Sequence, residues 1–496
     1  MTRIANLQRH PDQVPGTIFE SIETHAYRDH QRTAVLLADV HVSYGRLYHD
    51  VMSCACELYR QGVRPGSRLA VNTLDSYVHW TLLLAAETLG AITCSLHPTE
   101  TFDSLKSIVS FVDFWVGEQP TVEISARSKL IAIDGTWTSA AFKAPLDHVL
   151  FDRIFHPIAM HEGQRMRRSS GTTGGMKLML STRGVEESRM RAYSEFMGIT
   201  ADTRYLVSKS FIVSSAYLTA NLCLRLGATV AFDHGGDKMV QIHENGITHL
   251  RLFQDQLVAL LEHMQAKQAP KPPGVTLILG AAPVSQKLWD AALEKIASRI
   301  VYTYNANECG SICFMGPEGR GVIRPGVVLQ VIDDNDQPLP NGQAGRIRVR
   351  TPSQISGYLD NPEMTQQNFR DGWFYTGDVG IVRSERAIEL VGRADDVINI
   401  AGYKHSCPQL EKVAQQVPGV KEVCATSGRT ALGVDFLALV VVLEKGAKQG
   451  PVGAAILSCF PQTMVDDMRL FFTPNLLRTE SGKLRRKAIG DMLKSE

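Results

Sequence analysis

Short apolar runs that each end in a polar turn are the feature that most limits the fold of this 496-residue chain. Amphipathic segments separate them, as in proteins whose parallel strands are buried beneath helices. The pattern predicts an α/β fold with stacked sheets, and it places ligand-binding loops after the carboxyl ends of the strands. Such runs are SRLAVNTL (67–74), TRYLVSKS (203–210), GATVAFD (227–233), GVTLILGAAP (274–283) and SRIVYTYNANECG (298–310).

Charge and cysteine usage narrow the class of protein. Lys plus Arg (52) nearly balance Asp plus Glu (51), so the bulk charge favours neither nucleic acid nor a membrane surface as a partner. The nine cysteines form no Cys-x-x-Cys pair, which argues against a disulfide framework or a zinc ribbon. The longest apolar runs are broken by charge before they reach the length of a membrane span. We therefore expect a cytoplasmic protein with no membrane span and no nucleic-acid partner.

The segment RSSGTTGGMKLML (168–180) combines hydroxyl groups, glycines and one lysine, with no side chain at its centre large enough to form a core. Free backbone, hydroxyl donors and a cation suit an oligophosphate. A Walker loop is excluded because Met176 and Leu178 flank Lys177, and the dinucleotide fingerprint is absent. From this segment alone, a phosphate loop of another kind and a plain surface loop both stay open.

The texture of the chain changes twice. From about residue 322, short strands are punctuated by Gly and Pro, and DDNDQPLPNG (333–342) is typical of a hairpin turn. After GRADDVINIAGY (392–403) the order becomes helix, strand, helix. We predict a large N-terminal domain over 1–394, with a β-rich subdomain over 322–394, and a small mobile α+β C-terminal domain over 395–496.

Several stretches, taken in order, resemble the adenylate-forming superfamily, which contains acyl- and aryl-CoA synthetases, peptide-synthetase adenylation domains and luciferases. The resemblance extends over nearly the whole chain, although Met176-Lys177-Leu178 replaces the family's Pro-Lys-Gly and Asn307 replaces its Thr. The matching stretches are SSGTTGGMK (169–177), YNANECG (304–310), GWFYTGDVG (372–380), GRADDVINIAGYKHS (392–406) and RTESGKLRRKAI (478–489).

The resemblance implies an ATP site with Mg²⁺ bound by Glu308. Asp378 offers two carboxylate oxygens to a ribose diol and Arg393 adds a donor, although a turn in which Asp378 bonds its own backbone is the alternative. Without the family, a solvated Glu308 and a core Tyr304 would be preferred. The implied phosphate-binding residues are Ser169, Ser170, Gly171, Thr172, Thr173, Gly174, Lys177 and Asn307, and the implied nucleoside-binding residues are Gly280, Ala281, Ala282, Tyr304, Asp378 and Arg393.

Two residues are predicted to be catalytic, Lys483 and Glu308. An ammonium between a carboxylate and the α-phosphate stabilises the meeting of two anions. The alternative is that Lys483 belongs to an exposed basic cluster with Arg478, Arg485, Arg486 and Lys487. The resemblance implies a hinge at Asp395, and a second conformation in which Gly402 and Tyr403 line a tunnel for a phosphopantetheine thiol.

The resemblance implies that the acid pocket lies in SKSFIVSSAYLTA (208–220), formed by Phe211, Ser214, Ser215 and Tyr217. This stretch has no carboxylate for an α-ammonium group, which argues against amino acids. We predict an AMP-forming ligase that joins an aryl or a short- or medium-chain acid to CoA or a separate acyl carrier protein, since no carrier domain follows Lys483. The alternatives are a ligase that uses only a carrier protein and a catalytically impaired regulatory protein.

Overall fold

The fold is taken from a computed structural model. It describes residues 16–38, 40–98, 100, 105, 108–119, 125–170, 176–208, 210–280, 284–359, 361–400, 403–429, 435–465, 468–478 and 484–493. The chain forms two compact units, the first from Met1–Val328 and Val349–Phe374 and the second from Leu329–Arg348 and Tyr375–Glu496. The hinge predicted at Asp395 concerns motion, which compact units do not test, and it stays a prediction.

The helices in chain order are α1 (Ile18–Arg28), α2 (Tyr44–Arg60), α3 (Ser76–Thr88), α4 (Gly135–Lys143), α5 (His148–Ile154), α6 (Arg183–Met197), α7 (Ser214–Leu226), α8 (Lys238–Glu244), α9 (Gln254–Lys267), α10 (Gln286–Lys295), α11 (Pro362–Asn368), α12 (Cys407–Ala414), α13 (Gln449–Ser458), α14 (Gln462–Val465) and α15 (Arg486–Met492). Short 3₁₀ turns cover Pro317–Gly319 and Ala394–Asp396.

The strands are β1 (Thr33–Leu37), β2 (Val40–Ser43), β3 (Arg68–Asn72), β4 (Ile92–Ser95), β5 (Phe114–Gly117), β6 (Lys129–Ala132), β7 (Gly163–Ser170), β8 (Met176–Thr182), β9 (Arg204–Val207), β10 (Thr229–Phe232), β11 (His249–Leu252), β12 (Thr276–Leu279), β13 (Arg299–Ala306), β14 (Gly310–Met315), β15 (Arg320–Ile323), β16 (Val328–Ile332), β17 (Ala344–Arg350), β18 (Phe369–Arg370), β19 (Trp373–Val382), β20 (Ala387–Arg393), β21 (Val397–Ile400), β22 (Tyr403–Ser406), β23 (Val420–Arg429), β24 (Asp435–Leu443) and β25 (Met468–Phe472).

Mainly parallel sheets build the first unit, as the apolar runs predict. One sheet has the order β6-β5-β3-β4-β7-β8, parallel except for the final β7–β8 hairpin. A second includes the order β13-β12-β11-β9-β10-β1-β2, parallel from β13 to β1. Every residue of β4, β10, β11 and β12 is buried, and β10 (TVAF) and β12 (TLIL) are largely apolar without alternation, as expected for strands covered on both faces.

The second unit contains antiparallel strands followed by an α+β segment. Strands β16, β17, β19 and β20 are neighbours in that order, and the predicted hairpin turn connects β16 to β17. Strand β23 pairs with β24 in antiparallel fashion and β25 adds to β24 in parallel, with α12 and α13 packed on this sheet through an apolar cluster that includes Leu410 and Ile456.

Helix α3 lies in the core of the first unit and is buried almost all round, as expected for a helix that is apolar on every face. Asp75 caps it by accepting hydrogen bonds from the backbone N–H groups of Tyr77 and Val78, both at 2.9 Å. The indole N–H of Trp80 donates to Asn221 on α7 at 2.9 Å, which ties the two helices together. No helix within the described ranges combines the length and the hydrophobicity needed to cross a bilayer.

His79 on α3 is a buried polar residue within this core. Its Nδ1 lies 3.2 Å from the Thr73 carbonyl oxygen and its Nε2 lies 2.7 Å from Ser95 Oγ. Because a carbonyl only accepts, Nδ1 carries the proton, and the Ser95 hydroxyl donates to Nε2. Burial, reinforced by the positive charge of Arg165, lowers the pKa of His79 to about 4. The folded protein therefore holds this ring neutral.

This lowered pKa predicts acid sensitivity in the first unit. The unfolded chain, with an ordinary histidine pKa of 6.5, binds a proton that the folded chain rejects, so stability present above pH 6.5 is lost as the pH falls towards 4. Between pH 7 and pH 5 the loss from this one group is about 2 kcal/mol. In urea unfolding followed by tryptophan fluorescence, His79→Gln should lose about that much less stability than the wild type over this interval. The exposed His161→Gln is the control, and equal pH slopes for wild type and His79→Gln would contradict the assignment.

Candidate active site

The predicted phosphate loop connects two strands that face each other. In the β7–β8 hairpin, Ser169 is opposite Lys177 and Ser170 is opposite Met176. The hairpin therefore fixes both ends of the loop. Gly171, Thr172, Thr173 and Gly174 lie outside the described residues, and of Ser169 and Ser170 only the backbone is described.

Strand β7 brings three arginines into the interior, each facing a glutamate that is distant in sequence. Buried charges are retained when they are paired and hydrogen bonded, and these arginine side chains are all 5% exposed or less. The pairs are Arg165–Glu87 at 3.7 Å, Arg167–Glu186 at 2.5 Å and Arg168–Glu100 at 2.6 Å. These pairs are not predicted from the sequence, although three arginines within four residues of a strand are a signal that buried acids face them.

Tyr358 contacts both Lys177, the lysine of the predicted phosphate loop, and Glu308, the predicted metal ligand. Its hydroxyl donates to Glu308 Oε1 at 2.9 Å, and its ring lies under the ammonium of Lys177, with Nζ 5.1 Å from the ring centroid. The backbone supports this position, because Leu359 N–H donates to the Leu178 carbonyl at 2.7 Å. Lys177 and Glu308 are therefore at one place in the fold. Tyr358 was missed by the sequence analysis.

The turn that carries Asn307 and Glu308 follows β13 and is held in place by a hydrogen bond from Arg189. The guanidinium of Arg189 on α6 donates to the Asn307 carbonyl at 2.7 Å and to the Ser353 carbonyl at 3.1 Å. Burial, together with the charge of Arg167, lowers the pKa of Arg189 to about 10, so it remains a cation at neutral pH. The Glu308 carbonyl accepts from Ile355 N–H at 2.9 Å. Glu308 is 8% exposed, so it is not the solvated glutamate of the alternative interpretation.

Gly280 follows β12, and Tyr304 lies near the carboxyl end of β13, the neighbouring parallel strand. Leu279 at the end of β12 is opposite Tyr302 in β13, so Gly280 and the half-buried Tyr304 emerge at the same edge of the sheet. This is the carboxyl edge, where ligands bind in α/β proteins. Ala281 and Ala282 lie outside the described residues.

Asp378 and Arg393 face each other in the second unit. They are opposite residues of β19 and β20, and Arg393 Nη1 lies 3.2 Å from Asp378 Oδ1. Gly377 has φ +74°, a conformation that favours glycine, and a Cβ atom there would be only 3.0 Å from Arg393 Nη2. Asp378 N–H donates to Thr376 Oγ1 at 3.1 Å. The Asp378 carboxylate is therefore held by a cation from the neighbouring strand.

The predicted acid-pocket residues divide between the core and a small cavity. Phe211 and Tyr217 are 3% and 2% exposed, and the Tyr217 hydroxyl donates to Glu87 at 2.7 Å beneath the guanidinium of Arg165. Ser214 lines a cavity of about 20 Å³ together with Ser95, Ile212 and the three arginines of β7. The Ser215 carbonyl accepts from Thr219 within α7 at 2.8 Å. A role for these four residues in acid binding stays a prediction.

The predicted hinge and lysine segments both lie near one partly buried cation, Arg486. Asp395 lies in the 3₁₀ turn Ala394–Asp396, and the neighbouring Asp396 accepts from Arg486 Nε at 2.8 Å. Arg486 also contacts Glu411 on α12, and it donates to the Ala425 carbonyl at 2.5 Å. Arg486 is therefore not part of an exposed basic cluster, which corrects that part of the alternative.

The remaining predicted residues of this segment are only partly described. Tyr403 opens β22, where it pairs with Ile400, and its side chain is not described. Gly402 and Lys483 lie outside the described residues. Within the described ranges, His, Cys, Asp and Glu side chains do not form a group of three or more that could hold a metal ion by themselves. A cation bound at Glu308 would thus need further ligands from a substrate or from water.

Comparison with known proteins shows what the chain is similar to. The family described as AMP-binding enzyme matches residues 168–359. The 4-hydroxybutyrate–CoA ligase 2 of Metallosphaera sedula is 25% identical over 467 residues, which cover 84% of this chain and 83% of that protein.

Two solved structures share the fold at 20% sequence identity. ATP-bound MatB of Rhodopseudomonas palustris has a TM-score of 0.83 and covers 95% of this chain and 99% of its own. The O-succinylbenzoate CoA synthetase MenE of Bacillus subtilis, in complex with ATP and a magnesium ion, has a TM-score of 0.79 and covers 94% and 98%. The family match, the related ligase and the shared fold agree with the order of motifs in the sequence. Residues 168–359 therefore match the AMP-binding enzyme family, and the chain as a whole is similar to CoA ligases in sequence and in fold.

Proposed function

We propose that the protein is an AMP-forming ligase, which activates a carboxylic acid with ATP and transfers the acyl group to the thiol of CoA. The observation that carries this proposal is the contact of Tyr358 with both Lys177 and Glu308. It brings a cation suited to phosphate and a carboxylate suited to Mg²⁺ to the end of the phosphate loop. A relative that spans most of the chain is a CoA ligase, which supports CoA as the acceptor.

Glu308 fits a magnesium site that is shared with the nucleotide. Mg²⁺ prefers oxygen ligands, keeps several waters and is usually bound through one or two carboxylates plus substrate phosphates. Glu308 supplies one carboxylate with a fixed orientation, since one of its oxygens accepts from Tyr358. Bound Mg²⁺ supplies charge neutralisation at the phosphates. Lys177 adds a further positive charge at the same place.

Asp378, Arg393 and Tyr304 are proposed to bind the nucleoside. The Asp378 carboxylate accepts hydrogen bonds from two adjacent ribose hydroxyls, and Arg393 holds that carboxylate in place at 3.2 Å. Tyr304 offers an aromatic face to adenine, and Gly280 emerges beside it at the carboxyl edge of the sheet.

The chemistry proceeds in two displacements. In the first, a carboxylate oxygen of the acid attacks the α-phosphorus, the bond to the β-phosphate bridging oxygen breaks, and pyrophosphate leaves. We assign Lys483 to this step, because its ammonium stabilises the two anions as they meet. In the second, the thiol sulfur attacks the acyl carbonyl and gives up its proton, and AMP leaves with the former carboxylate oxygen. Rotation at Asp395 is proposed to exchange Lys483 for the Gly402–Tyr403 segment between these steps.

The acid is proposed to lack an α-amino group and to be an aryl or a short- or medium-chain acid. The segment around Ser214 carries no carboxylate to pair with an ammonium group. A separate acyl carrier protein remains the alternative acceptor, and the cytoplasm remains the proposed location. Both follow from the sequence and not from the fold.

ATP–pyrophosphate exchange tests the proposal directly. We expect exchange with at least one aryl or short- or medium-chain acid in a screen that also includes long-chain acids and α-amino acids. With that acid, CoA should yield a thioester faster than a phosphopantetheinylated carrier protein does. ATP–pyrophosphate exchange without acyl transfer to CoA would support the alternative of a ligase that uses only a carrier protein. Nucleotide binding without exchange for any acid would indicate the impaired regulatory protein.

Replacing Lys483 separates the two displacements. Lys483→Ala should lower the rate of adenylate formation at least about a hundredfold, by loss of electrostatic stabilisation at the developing charge. It should leave the reaction of supplied acyl-adenylate with CoA within about threefold of wild type. Single-turnover assays of each half-reaction provide the measurement. Asp395→Pro, which restricts the backbone at the proposed hinge, is the counterpart and should impair the second half-reaction instead. Equal losses of both half-reactions in Lys483→Ala would refute its assignment.

Replacing Asp378 tests the nucleoside contact. Asp378→Ala removes the acceptor for the ribose hydroxyls, so the Kd for ATP should rise about tenfold or more, as expected for a hydrogen bond to a charged group. Calorimetric titration with ATP measures this. The control is Glu389→Ala in β20, which removes a carboxylate that pairs with Arg383 on the surface. An unchanged Kd in Asp378→Ala would argue against the ribose contact.

A further inference from the structure

We propose that Tyr358 is a positioning residue for the magnesium site. Its hydroxyl sets the rotation of the Glu308 carboxylate and so determines which oxygen is presented to the cation. This inference rests on the proposed function, because it takes Glu308 as the metal ligand. It adds a residue that touches neither nucleotide nor acid in the scheme above.

The hydrogen bond is buried at both ends. Tyr358 is 7% exposed and Glu308 is 8% exposed, with 2.9 Å between the phenolic oxygen and Oε1. A phenol donates to an ionised carboxylate, and such charge-assisted bonds are stronger than those between neutral groups. The carboxylate can rotate only if it gives up this donor. Oε1 is therefore committed to Tyr358, and Oε2 is the oxygen available to a cation.

The ring of Tyr358 is itself held in position from several sides. Its backbone N–H donates to Thr365 Oγ1 at 2.9 Å, and Met179 in β8 forms a β-bridge with it. Phe369 packs against its ring in an edge-to-face arrangement, with the centroids 5.6 Å apart. Because these contacts come from β8 and from the α11–β18 segment, the position of the hydroxyl is set by the fold and not by Glu308 alone.

Tyr358 also keeps the Lys177 ammonium and the Glu308 carboxylate apart, because each contacts a different part of its side chain. The aromatic face lies near the Lys177 ammonium, and the hydroxyl at the ring edge binds the Glu308 carboxylate. A cation over an aromatic face is held more weakly than one in a buried ion pair. Lys177 therefore remains available to phosphate while Glu308 remains available to the cation.

The test is a direct measurement of cation binding that does not depend on turnover. Mn²⁺ is titrated into the full-length protein in the presence of α,β-methylene ATP, and free Mn²⁺ is measured by electron paramagnetic resonance. Tyr358→Phe keeps the ring and loses only the hydroxyl, so the Kd for Mn²⁺ should rise about tenfold. Tyr77→Phe is the matched control, since Tyr77 also donates to a buried carboxylate, that of Asp50, at 2.7 Å. Its Kd should equal that of wild type.

Two further variants keep the test decisive. Thr365→Ala removes the acceptor for the Tyr358 backbone N–H, so the Kd for Mn²⁺ should rise by a smaller factor than in Tyr358→Phe. This variant replaces Tyr358→Phe in the test if Tyr358→Phe does not fold. Glu308→Gln tests the metal ligand itself. If Glu308→Gln weakens Mn²⁺ binding but folded Tyr358→Phe binds like wild type, the positioning role is overturned. If Glu308→Gln also binds like wild type, the proposed metal site fails and this inference falls with it.

Discussion

The first unit depends on neutralising the arginines of β7. This strand leads directly into the proposed phosphate loop, and its interior position makes an unpaired charge very costly. Arg167 meets Glu186 with two parallel hydrogen bonds of 2.5 Å, and it also donates to Ser181 across the hairpin at 2.7 Å. The planar guanidinium suits such a fork, which fixes direction as well as distance. The base of the loop is thus positioned by ion pairs as well as by apolar packing.

Helix α6 transmits this position to the turn that holds the proposed metal ligand. Glu186, which binds Arg167, and Arg189, which binds the Asn307 carbonyl, are three residues apart and so lie on one face of the helix. Burial would raise the pKa of Glu186, but the charges of Arg167 and Arg189 lower it. The carboxylate therefore stays ionised between two cations. Strand β7, which leads into the proposed phosphate loop, and the Glu308 turn are consequently attached to the same helix, independently of their link through Tyr358.

The sequence predicts local features well and distant partners poorly. The apolar runs became the predicted parallel strands, and the YTGD and GRADD segments supplied Asp378 and Arg393, which the register of β19 and β20 brings face to face. Periodicity predicts the strands because it depends only on neighbouring residues, whereas Asp378 and Arg393 were implied by the resemblance to the adenylate-forming superfamily. Tyr358 and Glu308 are 50 residues apart, so no local pattern connects them. Tyr217 was expected in the acid pocket, but the sequence did not show that its hydroxyl donates to Glu87 within the core.

The basic segment near the carboxyl terminus shows why charge alone does not define a role. Composition treats Arg486 and Lys483 as members of one cluster, yet Arg486 is committed to Asp396, Glu411 and the Ala425 carbonyl. These acids raise its pKa despite burial, so its charge is used within the second unit and is not available to a substrate. The same contacts attach α15 to the 3₁₀ turn that contains the proposed hinge. Because separating the partly buried Arg486 guanidinium from its acids is costly, we expect Asp396, on the carboxyl side of the proposed hinge, to move together with the start of α15.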